Sequence, residues 1–291
     1  MPVAKYTFFS TTDAARTSSL QLVARQVVEG IITGLHRSPH RGFSVEFSEH
    51  REYVPGDELR HLDWRAYARS DRYYIKLYEQ ETNLRATIVL DTSASMRFAE
   101  KFDYGRHLAA CLAYILAHQQ DLVGLVGMDD RLRVDLPAGS TPAHLDRLFK
   151  ELERVEPGKT TDLAAGLHLL ADRLPRRSMV ILISDLWIEP DAFTHALQHL
   201  RYRKHQGMVL HLLDRAETEL PYERRVTLED LETGEKLQVN PAEFREVYKQ
   251  QVQDYLTSIR RTCSDCDVEY HPIDVAMPYD KALVQLITRR S

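Results

Sequence analysis

Five residues of this chain, Asp91, Ser93, Ser95, Thr161 and Asp185, are of types and spacing that could gather around one hard cation. Asp91 ends the apolar run Ile88-Val89-Leu90, and Ser93 and Ser95 follow it at alternate positions in Asp91-Thr92-Ser93-Ala94-Ser95-Met96. A locally extended loop would point this carboxylate and both hydroxyls the same way. Pro157-Gly158-Lys159-Thr160-Thr161-Asp162-Leu163 is a turn running into a helical pattern, which leaves the Thr161 hydroxyl free near a helix start. Met179-Val180-Ile181-Leu182-Ile183-Ser184-Asp185 is a second buried strand ending in an acid. Only oxygens are offered. That donor set suits magnesium, with manganese as a substitute: both take octahedral oxygen coordination, and magnesium at about 2.0–2.1 Å keeps positions for water or a partner ligand.

Other chemistries begin with similar residues. Asp91-Thr92-Ser93 also reads as half of an aspartic protease dyad, but no second Asp-Thr-Ser or Asp-Thr-Gly exists in the chain and helical segments follow. A phosphoryl-transfer site built on an aspartate nucleophile commonly wants a second acid two positions on, where Ser93 stands. A polar loop that merely caps the next helix explains Asp91 to Ser95 alone, but not the ordered recurrence of Thr161 and Asp185.

The elements that must position these residues follow from apolar periodicity. From Arg85 onward, apolar runs alternate with helical patterns, the mark of parallel strands joined by crossover helices. Strands are predicted over Ala86–Leu90, Leu122–Met128, Ser178–Ser184, Met208–Leu213 and Val268–Pro272, and helices over Phe102–Gln119, Pro142–Arg154, Leu163–Arg173 and Pro190–Arg203. Arg131–Leu136 follows a strand too closely for a crossover and is expected to be an antiparallel edge. A hairpin from Arg225 to Val239 precedes a long helix starting at Pro241, and Asp280–Arg289 is a closing helix. Ahead of this lie a helix from Ser19 to Leu35, strands near Phe43–Phe47 and Tyr73–Tyr78, and a short helix starting near Asp57. An α/β fold results, with a smaller α+β module over residues 1–83, a mostly parallel sheet with flanking helices over 84–291, and a hairpin insertion at about 223–240. Ligands of such open sheets bind at the carboxyl ends of the strands, where Asp91 and Asp185 fall.

The chain has 291 residues, 43% of them hydrophobic and 28% charged, which is ordinary globular composition. A net charge of −5 weighs against nucleic acid or anionic membrane as the main partner. No apolar run reaches the roughly 18–20 residues of a membrane span, and the first residues lack a signal-peptide pattern, so a cytoplasmic protein is expected. Three cysteines are too few for a disulfide framework. Cys263-Ser264-Asp265-Cys266 has metal-site spacing, but only His271 stands nearby as a further ligand, and a structural connection is favoured. His195 and His199 sit four apart on a predicted helix, and Glu58 and His61 have Glu-x-x-His spacing; neither motif is complete.

The Asp-x-Ser-x-Ser loop, the threonine loop and the second strand-end aspartate resemble the metal-ion-dependent adhesion site of von Willebrand factor A (VWA) domains. Lys159 stands where a second glycine is common. The segment from Glu46 to Arg69 contains Glu46-Phe47, Arg51-Glu52-Tyr53, Gly56-Asp57-Glu58-Leu59-Arg60, Asp63-Trp64 and Ala68-Arg69. It resembles the signature of the bacterial domain of unknown function fifty-eight family, whose members carry such a series just ahead of a VWA-like loop. Many relatives bear amino-terminal transmembrane helices, and this chain resembles the shorter subgroup. Arg51, Asp57, Arg60, Asp63 and Arg69 are expected to form salt bridges, with Trp64 packed beneath, rather than a second active site.

The resemblance implies a non-catalytic, metal-dependent protein-interaction protein. A partner would donate an acidic residue to the metal. The family also implies work alongside a MoxR-type AAA+ ATPase, as an adaptor in maturation or assembly of other proteins. The chain has no phosphate-binding loop of its own, since Gly158-Lys159-Thr160 is preceded by Glu153 where the first glycine belongs. A magnesium-dependent hydrolase or phosphoryl-transfer enzyme is the alternative; it would need a base, for which Asp162 and Glu189 are the nearest candidates.

Overall fold

The computed structural model describes residues 19–35, 50–52, 74–76, 84–158, 162–231 and 234–288. The chain divides into a large unit, Met1–Ile32 with Leu84–Ser291, and a small unit, Thr33–Asn83. In the small unit, β1 (His50–Glu52) pairs antiparallel with β2 (Tyr74–Lys76), Arg51 opposite Ile75. The other signature positions, Asp57, Arg60, Asp63, Trp64 and Arg69, lie outside the described residues, as do Glu58 and His61.

The large unit is an α/β fold built on a six-stranded sheet. Its strands are β3 (Arg85–Asp91), β4 (Leu122–Met128), β5 (Leu132–Gly139), β6 (Met179–Ser184), β7 (Gln206–Leu213) and β10 (Val268–Asp274), in the order β10-β7-β6-β3-β4-β5. All neighbours are parallel except β5, which returns antiparallel beside β4 as its closeness in sequence requires. The central strands are buried almost throughout and mostly apolar because both faces are covered. Ile88 and Leu90 of β3, with Ile181 and Ile183 of β6, pack into one core, and Val89, Val180 and Leu182 into the other.

Helices α1 (Leu20–Leu35), α2 (Lys101–His118), α3 (Pro142–Arg154) and α8 (Tyr279–Thr288) bury apolar residues in the first core, from Val23 and Val27 through Leu108 and Leu148 to Leu283. Helices α4 (Leu163–Arg173), α5 (Pro190–Tyr202) and α7 (Pro241–Asp265) cover the second face with Leu167, Phe193, Leu197 and Ile259. Sequence grouped α1 with the amino-terminal module. Its apolar face instead joins the sheet core, and the Leu20 backbone N–H donates to Glu153 Oε1 of α3 at 3.0 Å. The hairpin β8 (Val226–Glu229) and β9 (Lys236–Val239) pairs on its own, outside the main sheet. Among the described residues, no helix is long and apolar enough to cross a membrane.

Two features aim the chain at the carboxyl edge of the sheet. Connections leave β3 toward β4 and leave β6 toward β7, in opposite directions across the sheet, so a crevice opens between the ends of β3 and β6. A Cβ on Gly105 of α2 would lie 3.1–3.2 Å from side-chain methyls of Leu212, Ile183 and Leu90, so glycine lets the first turns of α2 lie close on the sheet without these side chains having to shift.

Candidate metal centre

Asp91 is the last residue of β3, and Asp185 directly follows β6, so the two carboxylates face each other across the switch point. A chain of polar contacts joins them. The Ser93 N–H donates to Asp91 Oδ1 at 2.8 Å, Ser93 Oγ lies 2.9 Å from Ser95 Oγ, and Ser95 Oγ donates to Asp185 Oδ1 at 3.1 Å. Four of the five residues expected at the site are therefore brought together. Thr161 lies outside the described residues. Before it, the Gly158 N–H donates to the Thr92 carbonyl at 2.6 Å and Arg97 Nη2 donates to the Pro157 carbonyl at 2.7 Å; after it, Asp162 caps α4 by accepting from the Ala165 N–H.

The loop departs from the extended path expected of it. Ser95 opens a 3₁₀ turn, Ser95–Glu100, that kinks into α2 through two left-handed residues, Ala99 (φ 51°) and Glu100 (φ 60°). Leu186 (φ 53°), directly after Asp185, is left-handed as well. Non-glycine residues in this region cost roughly 1 kcal/mol or more each and persist where surrounding contacts over-determine them.

Burial sets the electrostatics. Asp91 is 1% exposed, and its carboxyl is pushed up to about 7, first by loss of water and then by the charge of Asp185. Hydrogen bonds from Ser184 Oγ to Asp91 Oδ2 (2.6 Å) and from the Ser93 N–H to Asp91 Oδ1 (2.8 Å) pull the other way without compensating fully. Two carboxylates and two neutral hydroxyls thus line one stretch of the sheet edge, with repulsion between the acids that a cation would relieve. The contacts of 2.9 and 3.1 Å between successive oxygens are close to the ~2.9 Å edge of an octahedron with bonds of about 2.05 Å. Asp91, Ser93, Ser95 and Asp185 fit a small hard cation by donor type and by spacing.

Three participants were not legible in sequence. Ser184, read only as the end of a strand, donates to Asp91 and accepts from the Leu186 N–H, which bridges the two acid loops. Lys101, wholly buried, donates to Asp185 Oδ2 at 2.6 Å and to Glu217 Oε1 at 2.5 Å. Glu217 belongs to α6 (Arg215–Glu219), a five-residue helix that the sequence pattern did not announce. Burial raises its carboxyl, and Lys101 partly offsets this. Trp187 is 61% exposed at the rim of the site.

The weaker metal motifs resolve differently. His199 meets His168 of α4, with their Nδ1 atoms 3.0 Å apart, rather than pairing with His195. Cys111, Cys263 and Cys266 are free and buried, and burial pushes the Cys263 thiol up to about 12 and raises Cys266, so neither is a ready thiolate.

Uncharacterized protein Rv1480 of Mycobacterium tuberculosis is 26% identical over 262 residues, covering 87% of this chain and 82% of that protein, and so is uncharacterized protein Mb1516 of Mycobacterium bovis. Among solved structures, an aerotolerance-related membrane protein from Bacteroides fragilis aligns at TM-score 0.47 and 17% identity, over 71% of this chain and 99% of that one. BatB from Bacteroides thetaiotaomicron aligns at TM-score 0.47 and 16% identity, over 71% and 98%. The family described as "Protein of unknown function DUF58" matches residues 49–257, well over half of the sequence, and the chain belongs to that family.

Proposed function

We propose that this chain is a non-catalytic, metal-dependent protein-interaction protein. The observation that carries the reading is the contiguous oxygen set Asp91–Ser93–Ser95–Asp185 at the switch point, with Asp91 held against Asp185 by burial. Asp91 and Asp185 together only neutralise a divalent ion, and Ser93 and Ser95 add no charge. A bound magnesium or manganese ion supplies an open coordination position for a partner's acidic side chain. Trp187, exposed beside Asp185, offers that partner an aromatic anchor of the kind that dominates interface energetics.

Several contacts favour interaction over hydrolysis. His211, the histidine nearest Asp185, engages the Asp185 carbonyl through Nε2 (2.9 Å) and the Tyr270 hydroxyl through Nδ1 (2.8 Å). Burial lowers its pKa to about 4, so it is a neutral structural group with both nitrogens occupied. Asp162, the first candidate base, spends its carboxylate on capping α4.

The resemblance to family members that accompany MoxR-type AAA+ ATPases supports an adaptor role beside such an enzyme, in chaperone-like assembly of other proteins. The test is binding of a purified MoxR-type ATPase to wild type and Asp91→Asn, each with magnesium and with chelator. Binding only by wild type with magnesium supports the reading; binding indifferent to both changes overturns its metal-dependent part.

A further inference from the structure

Among the described residues, Lys101 is the buried cation that pairs with the acids of the site. Its ammonium nitrogen lies 2.6 Å from Asp185 Oδ2, 2.5 Å from Glu217 Oε1 and 5.6 Å from the centroid of the Phe98 ring. The lysine side chain is 0% exposed. The kink through Ala99 and Glu100 and the close seat of Gly105 fix where α2 begins, and with it the reach of Lys101. Fully ionised, Asp91, Asp185 and Glu217 carry three negative charges against the one of Lys101, leaving the charge of one divalent ion to be matched.

The two oxygens of Asp185 are used unequally. Oδ1 faces Ser95 Oγ and the rest of the oxygen set, whereas Oδ2 is held by Lys101. Asp91 is tied in the same manner, with one oxygen on the Ser93 N–H and the other on the Ser184 hydroxyl. Calcium gathers six to eight oxygens and commonly takes both from one carboxylate, while magnesium takes six at shorter distance and needs only one. A lysine that occupies one oxygen of Asp185 therefore penalises the larger ion more.

We propose that Lys101 is the ion-selectivity residue of this site: by holding Asp185 Oδ2 it restricts the carboxylate to a single metal bond and so disfavours calcium against magnesium. The inference rests on the metal-site reading above. Glu217 is the second carboxylate that holds the ammonium in place.

The experiment is calorimetric titration of magnesium and calcium into wild type and Lys101→Met, with infrared difference spectra of wild type on magnesium addition. The expected result is a rise of at least tenfold in the calcium-to-magnesium affinity ratio of Lys101→Met, and a wild-type carboxylate band splitting of the single-oxygen type. Equal gains for both ions would mean that Lys101 acts through charge alone, and would overturn the inference while leaving the metal site standing. A two-oxygen splitting in wild type would overturn it too, and that readout does not depend on the variant folding. Wild type that binds neither ion would remove the metal site itself and the inference with it.

Discussion

Lys101 Nζ lies 2.6 Å from Asp185 Oδ2, a buried ion pair between the first turn of α2 and the end of β6. It makes the first helix after the Asp91 loop part of the site. Removing one member of a buried pair leaves the other charge desolvated and commonly costs about 3–5 kcal/mol. Glu217 is partly exposed, so Lys101→Met should destabilise the metal-free protein toward the lower end, about 3 kcal/mol. Magnesium should restore part of that loss by supplying positive charge beside Asp185. Chemical denaturation with and without the ion measures both effects, and an unchanged midpoint would refute the pairing.

Stability without metal should depend on pH through Asp91. Its folded carboxyl is raised from 3.8 to about 7, so the native state holds this proton more tightly than the unfolded chain does. The associated stability is complete below about pH 4 and is lost as pH rises through about 7, by up to about 4 kcal/mol. His211, lowered from 6.5 to about 4, has the opposite sense: its contribution is present above about 6.5 and lost as pH falls toward 4. Comparing wild type with Asp91→Asn isolates the first effect. The variant should gain relative stability between about pH 4 and 7 in chelator, and parallel curves would refute the assignment.

Gly158 holds the threonine loop against the Asp91 loop. A Cβ there would sit 1.9 Å from Asp129 Oδ2, and that carboxylate cannot yield easily because it is buried and paired with Arg133 at 2.6 Å. Gly158→Ala should cost about 1–3 kcal/mol and weaken divalent binding several-fold by displacing the turn that donates to Thr92. Thermal melts and an ion titration check the two halves separately, and wild-type values in both would contradict the packing.

Trp187→Ala should leave stability within about 0.5 kcal/mol, since the side chain is 61% exposed. Affinity for the proposed MoxR-type ATPase partner should fall at least tenfold, with divalent binding little changed. Equal partner affinity would remove Trp187 from the interface.

Much of this was readable because strongly periodic segments carry their own placement. The apolar runs ending at Leu90 and Ser184 became adjacent central strands, and their strand-end acids met because parallel strands share one carboxyl edge. Lys101 and Glu217 were not readable. A lysine at a helix start looks like solvated charge, and its partner stands 116 positions away on a short helix with no apolar period of its own. The kink at Ala99 and Glu100 was equally hidden, since neither is the glycine that usually marks left-handed backbone. His199 met His168 rather than His195 because α4 and α5 lie side by side on the same face, a tertiary fact with no sequence spacing.

The most direct measurement is electron paramagnetic resonance of manganese titrated into the purified chain, which counts bound and free ions. The account predicts one manganese per wild-type chain, competed by magnesium, and at least a hundredfold weaker binding in Asp91→Asn, whose near-isosteric amide removes one of the two charges facing the ion. No bound manganese in wild type, or unchanged binding in Asp91→Asn, would contradict it.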